Sequence, residues 1–164
     1  MVSLIISIMQ LYQYQFANTQ SILMGQIQTE TAYYQPNPPA SLPFAAIISI
    51  NDPDFSVICS NLTGNSTNCD GYGLRILNSS SILTYGAGLY SFFNNYNTSC
   101  SAAGDGEMCQ PRILSLEGTL SNIDIYNLNT VGATSMINRD GASLASYADN
   151  VNVFPDTIAL FRSG

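Results

Sequence analysis

The chain has no lysine, no histidine and no tryptophan, and its four cations are Arg75, Arg112, Arg139 and Arg162. Charged residues of either sign amount to 9% of the total, where about a quarter is usual in a soluble domain. Four dispersed arginines under a net charge of −7 cannot form a phosphate-tracking patch, which excludes a nucleic-acid partner and argues against an anionic membrane surface. With no histidine and no C-x-x-C pair there is no zinc ligand set, and no aspartate cluster has calcium-loop spacing. No metal or organic cofactor is expected. Nor does any segment sustain a helical apolar period over about a dozen residues.

Asn, Ser, Thr, Gly and Tyr supply the surface in place of charge. The 164 residues are one domain's worth, and a compact chain of that size buries roughly 70% of its unfolded surface. The four cysteines, Cys59, Cys69, Cys100 and Cys109, allow three pairings. Each close pair flanks a Gly/Asn/Ser-rich stretch, so Cys59–Cys69 and Cys100–Cys109 would staple two surface loops. Sequons at Asn61, Asn65, Asn78 and Asn97 offer N-glycan acceptors, three of them in or beside those loops. Disulfides and sequons together point to a secreted protein, expected as a monomer. Residues 1–10 are an atypical apolar start. They lack the basic flank and small-residue cleavage site of a signal peptide and are too short to span a bilayer. Either they are a buried strand or they mark a chain start at an internal position, with residues 11–164 as the domain proper.

Three segments repeat one theme. Tyr14–Gly25 lies over Leu74–Gly86, aligning Asn18 with Asn78 and Ile22 with Ile82, and Ile113–Tyr126 repeats the pattern with one extra residue. Each is a short alternating strand, a polar bend and a second short strand. Repeats at irregular spacing, with loops between them, suggest a solenoid of the parallel β-helix kind, whose bend asparagines could form a hydrogen-bonded ladder. An antiparallel sandwich is the alternative from pattern alone. The stretch Gln35–Asp54 carries five prolines and reads as a long loop leaving the solenoid after Glu30. Residues 135–153 would wrap the last coil, and Thr157–Phe161 would add a final strand.

Glu30 is one of only three glutamates. It sits among Gln26, Gln28, Thr29, Tyr33 and Tyr34, in amide- and hydroxyl-rich surroundings where tyrosines could desolvate a carboxylic acid. Sugars present hydroxyls to bond and C–H faces to stack, so this is the neighbourhood of a carbohydrate site. Glycoside hydrolysis needs one acid to protonate the leaving oxygen and a second group to act on water or carbon. If Ile27 points into the core, Gln26 and Gln28 face outward together. Tyr33 and Tyr34 either stack on sugar or pack the base of the loop. The aromatic cluster of Tyr90, Phe92 and Phe93 reads as packing, Glu117 as a surface turn, and Asp52 and Asp54 as turn formers beside Pro53.

The runs QYQFANTQSILMGQIQTETAYYQP (13–36), SSSILTYGAGLYSFFNNYNTSC (79–100), SLEGTLSNIDIYNLNTVGA (115–133) and ASYADNVNVFPDTIALFRS (145–163) resemble the carboxy-terminal part of glycoside hydrolase family 55, the fungal exo-β-1,3-glucanases. The resemblance implies an all-β fold, a partial right-handed parallel β-helix of the pectate-lyase-like solenoid type. It implies β-1,3-glucan as substrate, cleavage from the chain end with inversion, and Glu30 as general acid. The residues that hold water in that family precede Leu11 in its chains, so this chain alone is expected to be catalytically incomplete. A non-catalytic solenoid that binds or organises cell-wall glycan is the rival.

Overall fold

A computed structural model of the chain describes residues 5–7, 10–42, 44–55, 69–102, 108–150 and 157–164. Eleven strands fall among them: β1 (Ile5–Ser7), β2 (Tyr12–Ala17), β3 (Gln20–Met24), β4 (Ile27–Glu30), β5 (Tyr72–Leu77), β6 (Ser80–Tyr90), β7 (Gln110–Glu117), β8 (Ser121–Val131), β9 (Ala133–Arg139), β10 (Ala142–Ser146) and β11 (Thr157–Ser163). A short α-helix, α1 (Tyr147–Asn150), lies between the last two. The described residues are mostly β, in two sheets, as an all-β fold requires. One runs β1-β4-β6-β8-β11 with β3 also on β6, and the other runs β10-β9-β7-β5-β2.

The repeats stack in parallel and in the predicted register. Tyr14 pairs with Leu74 and Ile22 with Ile82. Leu74 then pairs with Leu114 and Ile82 with Ile123. The pairing advances 40 residues before the third bend and 41 after it (114 − 74 and 123 − 82). The extra residue therefore lies between Glu117 and Ser121. Residues 31–71 and residues 91–109 connect consecutive units.

The bend has one backbone solution in every unit. Asn18, Asn78 and Gly118 carry φ of 55°, 46° and 67°, a left-handed corner that Asn and Gly adopt at little cost. Backbone bonds run across it from Asn18 N to Leu77 O and from Asn78 N to Glu117 O. The expected ladder of asparagine amides is replaced by a different contact. Asn78 Oδ1 accepts from Thr119 N at 2.9 Å, because the third corner is glycine and leaves room for that oxygen to reach backbone.

Inward columns of apolar side chains make the core. Ile76 lies on Leu116, Ile82 on Ile123 and Ala87 on Leu128, all buried. Removing such surface from water is worth ~25 cal/mol per Å², the dominant favourable term in a structure this poor in charge. Residues 51–55 lie over the outer face of the second sheet. Tyr72 stacks on Phe55 at 6.2 Å between centroids, and Tyr12 Oη donates to Asp52 Oδ1 at 2.8 Å.

Three expectations change. Residues 5–7 are a strand, parallel to β4, with Ile5 opposite Gln28 and Ser7 opposite Glu30. Residues 133–139 do not wrap the end. They form the last parallel strand of the second sheet, and the turn at Asp140–Gly141 then sends β10 back antiparallel against it. Asp52 is more than a turn former: it is buried and holds both Tyr12 Oη and Ile47 N. At the far edge of the first sheet β11 runs antiparallel to β8, so both sheets end on reversed strands.

Candidate functional site

Strand alternation decides what β4 shows to solvent. Ile27 and Thr29 are buried, so Gln28 and Glu30 point outward on the first sheet, with Gln26 exposed just before them. Gln28 Nε2 lies 3.3 Å from Glu30 Oε1. The backbone of Glu30 is pinned by Gln13, whose Oε1 accepts from Glu30 N at 2.8 Å and whose Nε2 donates to Glu30 O. The carboxylate is therefore fixed by its strand and touched by one amide, and among the described residues it joins no ion pair.

Register places Gln28 opposite Gly88 and Glu30 opposite Tyr90, with Asn129 and Val131 next in line. An added Cβ on Gly88 would lie 2.7 Å from the Tyr90 hydroxyl, so the tyrosine ring lies along its own strand over the glycine. Tyr90 also packs against Phe92 at 5.6 Å.

Beyond Glu30 the loops of two adjacent units pair with each other. Tyr96 N donates to Tyr33 O at 2.9 Å, and Asn95 N to Gln35 O at 2.8 Å. The rings of Tyr34, Tyr96 and Phe93 lie 5.6, 5.3 and 6.3 Å from that of Tyr33. The two tyrosines differ in exposure. Tyr34 accepts a bond from Gln10 Nε2 at 2.6 Å and packs the loop base, whereas Tyr33 is 43% exposed. Phe93, read as packing, lies against the Tyr33 ring.

Tyr96 escaped the sequence reading. It is 63% exposed and sits at φ 67°, directly after Asn95 at φ 50°. A bulky residue held left-handed is uncommon and costs of order 1 kcal/mol or more, the kind of strain that gathers at working sites. No sequence rule marks a tyrosine for that conformation. The preceding Asn94-Asn95 pair was the only available hint.

The wall is held from below by a polar cluster. Thr31 Oγ1 donates to Gln110 Oε1, Gln110 Nε2 reaches Gly71 O at 3.2 Å, and Gln35 Oε1 accepts from Gly71 N at 2.8 Å. Asp70 lies in the same backbone stretch, with neither carboxylate oxygen bonded. Its burial raises its pKa to about 7, against a weaker pull down from its own backbone N–H and Arg112.

The remaining expected positions are distributed as follows. Cys100 and Cys109 form a disulfide. Cys69 is disulfide-bonded too, while Cys59, Asn61 and Asn65 lie outside the described residues. Asn78 is an exposed corner residue, and Asn97 Oδ1 caps its own loop by accepting from Ser99 N at 2.8 Å. Glu117 is not a free turn residue: it holds Arg75 through two bonds, 2.9 Å from Nε and 2.5 Å from Nη2, across the outer face of the second sheet. No group of three or more His, Cys, Asp or Glu side chains able to hold a metal occurs among the described residues.

No family profile matches the chain. Individual proteins do. It is 41% identical over 157 residues to a glucan 1,3-beta-glucosidase of Cochliobolus carbonum, a match covering 94% of this chain and 19% of that protein. It is 40% identical over 157 residues to a probable glucan endo-1,3-beta-glucosidase of Arthroderma benhamiae, with 94% and 16% covered. A protein named non-secreted LysM effector LysM15, of Penicillium expansum, is 34% identical over 155 residues, covering 94% of this chain and 9% of its own length. The chain thus spans less than a fifth of the length of each of these relatives. The resemblance to glucan 1,3-beta-glucosidases read in the sequence is borne out, and it runs through nearly all of this chain. The first two relatives are named for a glycoside hydrolase activity.

Proposed function

We propose that these residues are the carboxy-terminal portion of a secreted glycoside hydrolase that cleaves β-1,3-glucan from the chain end, with Glu30 as general acid. One observation carries the reading. Likeness of about 40% to a protein named glucan 1,3-beta-glucosidase and to one named probable glucan endo-1,3-beta-glucosidase covers 94% of the chain, too much to leave the Glu30 strand outside it. We read the stacked units as coils of a right-handed parallel β-helix, supported by their parallel register, shared left-handed corner and inward columns.

In that mechanism Glu30 donates its proton to the glycosidic oxygen, and water attacks the opposite face of the sugar with inversion. Gln28, Gln26 and Asn129 bond sugar hydroxyls, and Tyr33 with Tyr96 stacks on a sugar face at the mouth. Inversion needs a second group to hold the attacking water. Among the described residues, the one side chain bonded to the Glu30 carboxylate is the Gln28 amide, which is no base. We therefore assign the water-holding group to the rest of a longer protein and take the isolated chain to be inactive. Secretion is supported by the disulfide-bonded Cys69, Cys100 and Cys109.

A second reading has its own support in the relative named as a LysM effector: the same coils would bind glycan without turnover. A chimaera separates the two. This chain replaces the matching segment of the Cochliobolus carbonum protein, and glucose release from laminarin is followed, with the anomer of the first product read by proton NMR. Release as the α-anomer supports inverting hydrolysis. A folded chimaera that binds laminarin and releases nothing supports the second reading.

A further inference from the structure

The chain between Glu30 and Asp52 carries no charged residue, and its second half turns large apolar side chains to solvent. Leu42, Phe44, Ile47, Ile48 and Ile50 are each between 53% and 68% exposed. Among the described residues, neither apolar core includes any of them. Single exposed apolar side chains are ordinary on a protein surface. Five within nine residues (42 to 50), with no charge among them, are what an interaction surface looks like.

The backbone beneath this patch is held by hydrogen bonds at both ends. Ala40 is buried, and its N–H donates to Cys69 O at 2.6 Å. Ile47 N donates to Asp52 Oδ2 at 2.8 Å, and a short 3-10 helix, Ile48–Ile50, follows. That turn is tied to the second sheet: Gln15 Nε2 reaches Ile50 O at 3.4 Å, and Arg75 donates to Asn51 O. The polar backbone thus bonds to the sheet below, and Ile47, Ile48 and Ile50 are left on the outside of a built turn.

We propose that this patch is where the segment docks on the residues that precede it in the longer protein, against a neutral apolar face. The inference rests on the proposed function. The matches take up 19% and 16% of the two relatives named for glucosidases, so a body several times larger than this segment is linked to it. Such a tether gives a high effective concentration, and a modest apolar contact then suffices. Without charge, the patch has nothing to pair with an ionic partner and nothing to draw it to an anionic membrane. It also lies on the chain that leaves Glu30, whose first residues supply Tyr33 and Tyr34. Seating the patch therefore fixes the incoming body relative to the candidate site, where the water-holding group has to arrive. A second copy of the segment would cover the patch but bring no such group.

The test uses the full-length Cochliobolus carbonum chimaera. The photoreactive residue p-benzoylphenylalanine replaces Phe44 in one preparation and Ile48 in another; both positions are exposed, so the probe displaces no core packing of this segment. After irradiation, peptide mapping by mass spectrometry is expected to find both probes joined to residues upstream of the segment, within one molecule. Joining to residues 56–68, joining of two molecules, or no joining from either position overturns the docking. As a second measure, Phe44→Ser with Ile48→Ser removes apolar surface from the contact and should lower the melting temperature of the chimaera by several degrees. An unchanged melting temperature contradicts the docking, because uncovered side chains contribute nothing. Laminarin turnover by the same samples separates this inference from the reading it rests on. An active chimaera without upstream joining overturns the docking alone; upstream joining in a folded chimaera that releases nothing supports the docking and overturns the activity.

Discussion

Asp70 offers the sharpest physical test of this structure, because a buried carboxyl with no bonded oxygen is stable only when neutral. It is 6% exposed, both its oxygens lack partners, and its pKa is raised from 3.8 to about 7, chiefly by desolvation. The interval of roughly three pH units, at 1.36 kcal/mol each, is worth about 4 kcal/mol. The direction follows from proton counting. Below about pH 4 the carboxyl is protonated in both states and takes nothing from stability. Between about pH 4 and 7 the unfolded chain gives up its proton while the folded chain keeps it, so stability falls as pH rises; above about 7 the loss is complete. Asp70→Asn has no proton to exchange. Urea unfolding followed by circular dichroism at pH 4 and pH 8 should therefore show the variant gaining about 4 kcal/mol relative to the parent between the two conditions. Taking the difference between the two proteins cancels every other titrating group. A difference that stays constant to within about 1 kcal/mol would refute the argument and mean that Asp70 finds water or a partner in solution.

Two further perturbations probe the frame that carries the site. Arg75 is nearly buried and bonds Glu117, Gln15 and the Asn51 carbonyl, so it ties β2, β5 and β7 to the loop above them. Arg75→Met should cost about 3 kcal/mol, because it strands a partly buried carboxylate, and the double change Arg75→Met with Glu117→Leu should recover most of that loss. Denaturant midpoints of the single and double variants decide it. Gly132 sits at φ 74°, and an added Cβ would lie 1.8 Å from the Ser91 carbonyl oxygen. Gly132→Ala should thus lower stability by at least about 2 kcal/mol, seen as a melting temperature several degrees lower.

Much of the architecture was legible along the chain because it repeats. The alternating strands around Asn18 and Asn78, and the single extra residue before Ile123, appear in the sequence as they do in the sheet register. Corners recur because Asn and Gly are the residues that accept φ near 50–70°. The outward placement of Gln28 and Glu30 followed from Ile27 being inward, a consequence of two-residue periodicity alone. What was not legible depends on contacts between distant residues. That Glu117 anchors Arg75, that Asp52 anchors Tyr12, and that Tyr96 pairs with Tyr33 across 63 positions (96 − 33) are consequences of how loops fold back on sheets. Residues 5–7 were ambiguous for another reason: a short apolar run reads alike as leader or strand until a partner strand is seen.

The central claim is that Glu30 is the acid of a β-1,3-glucan hydrolase completed by residues outside this chain. The measurement that bears on it most directly is glucose release from laminarin by the Cochliobolus carbonum chimaera, with Glu30 and with Glu30→Gln. The account predicts an active chimaera whose turnover falls about 10²–10⁴-fold on the substitution, with binding of laminarin retained. Turnover that survives Glu30→Gln undiminished would contradict it and place the acid on another residue.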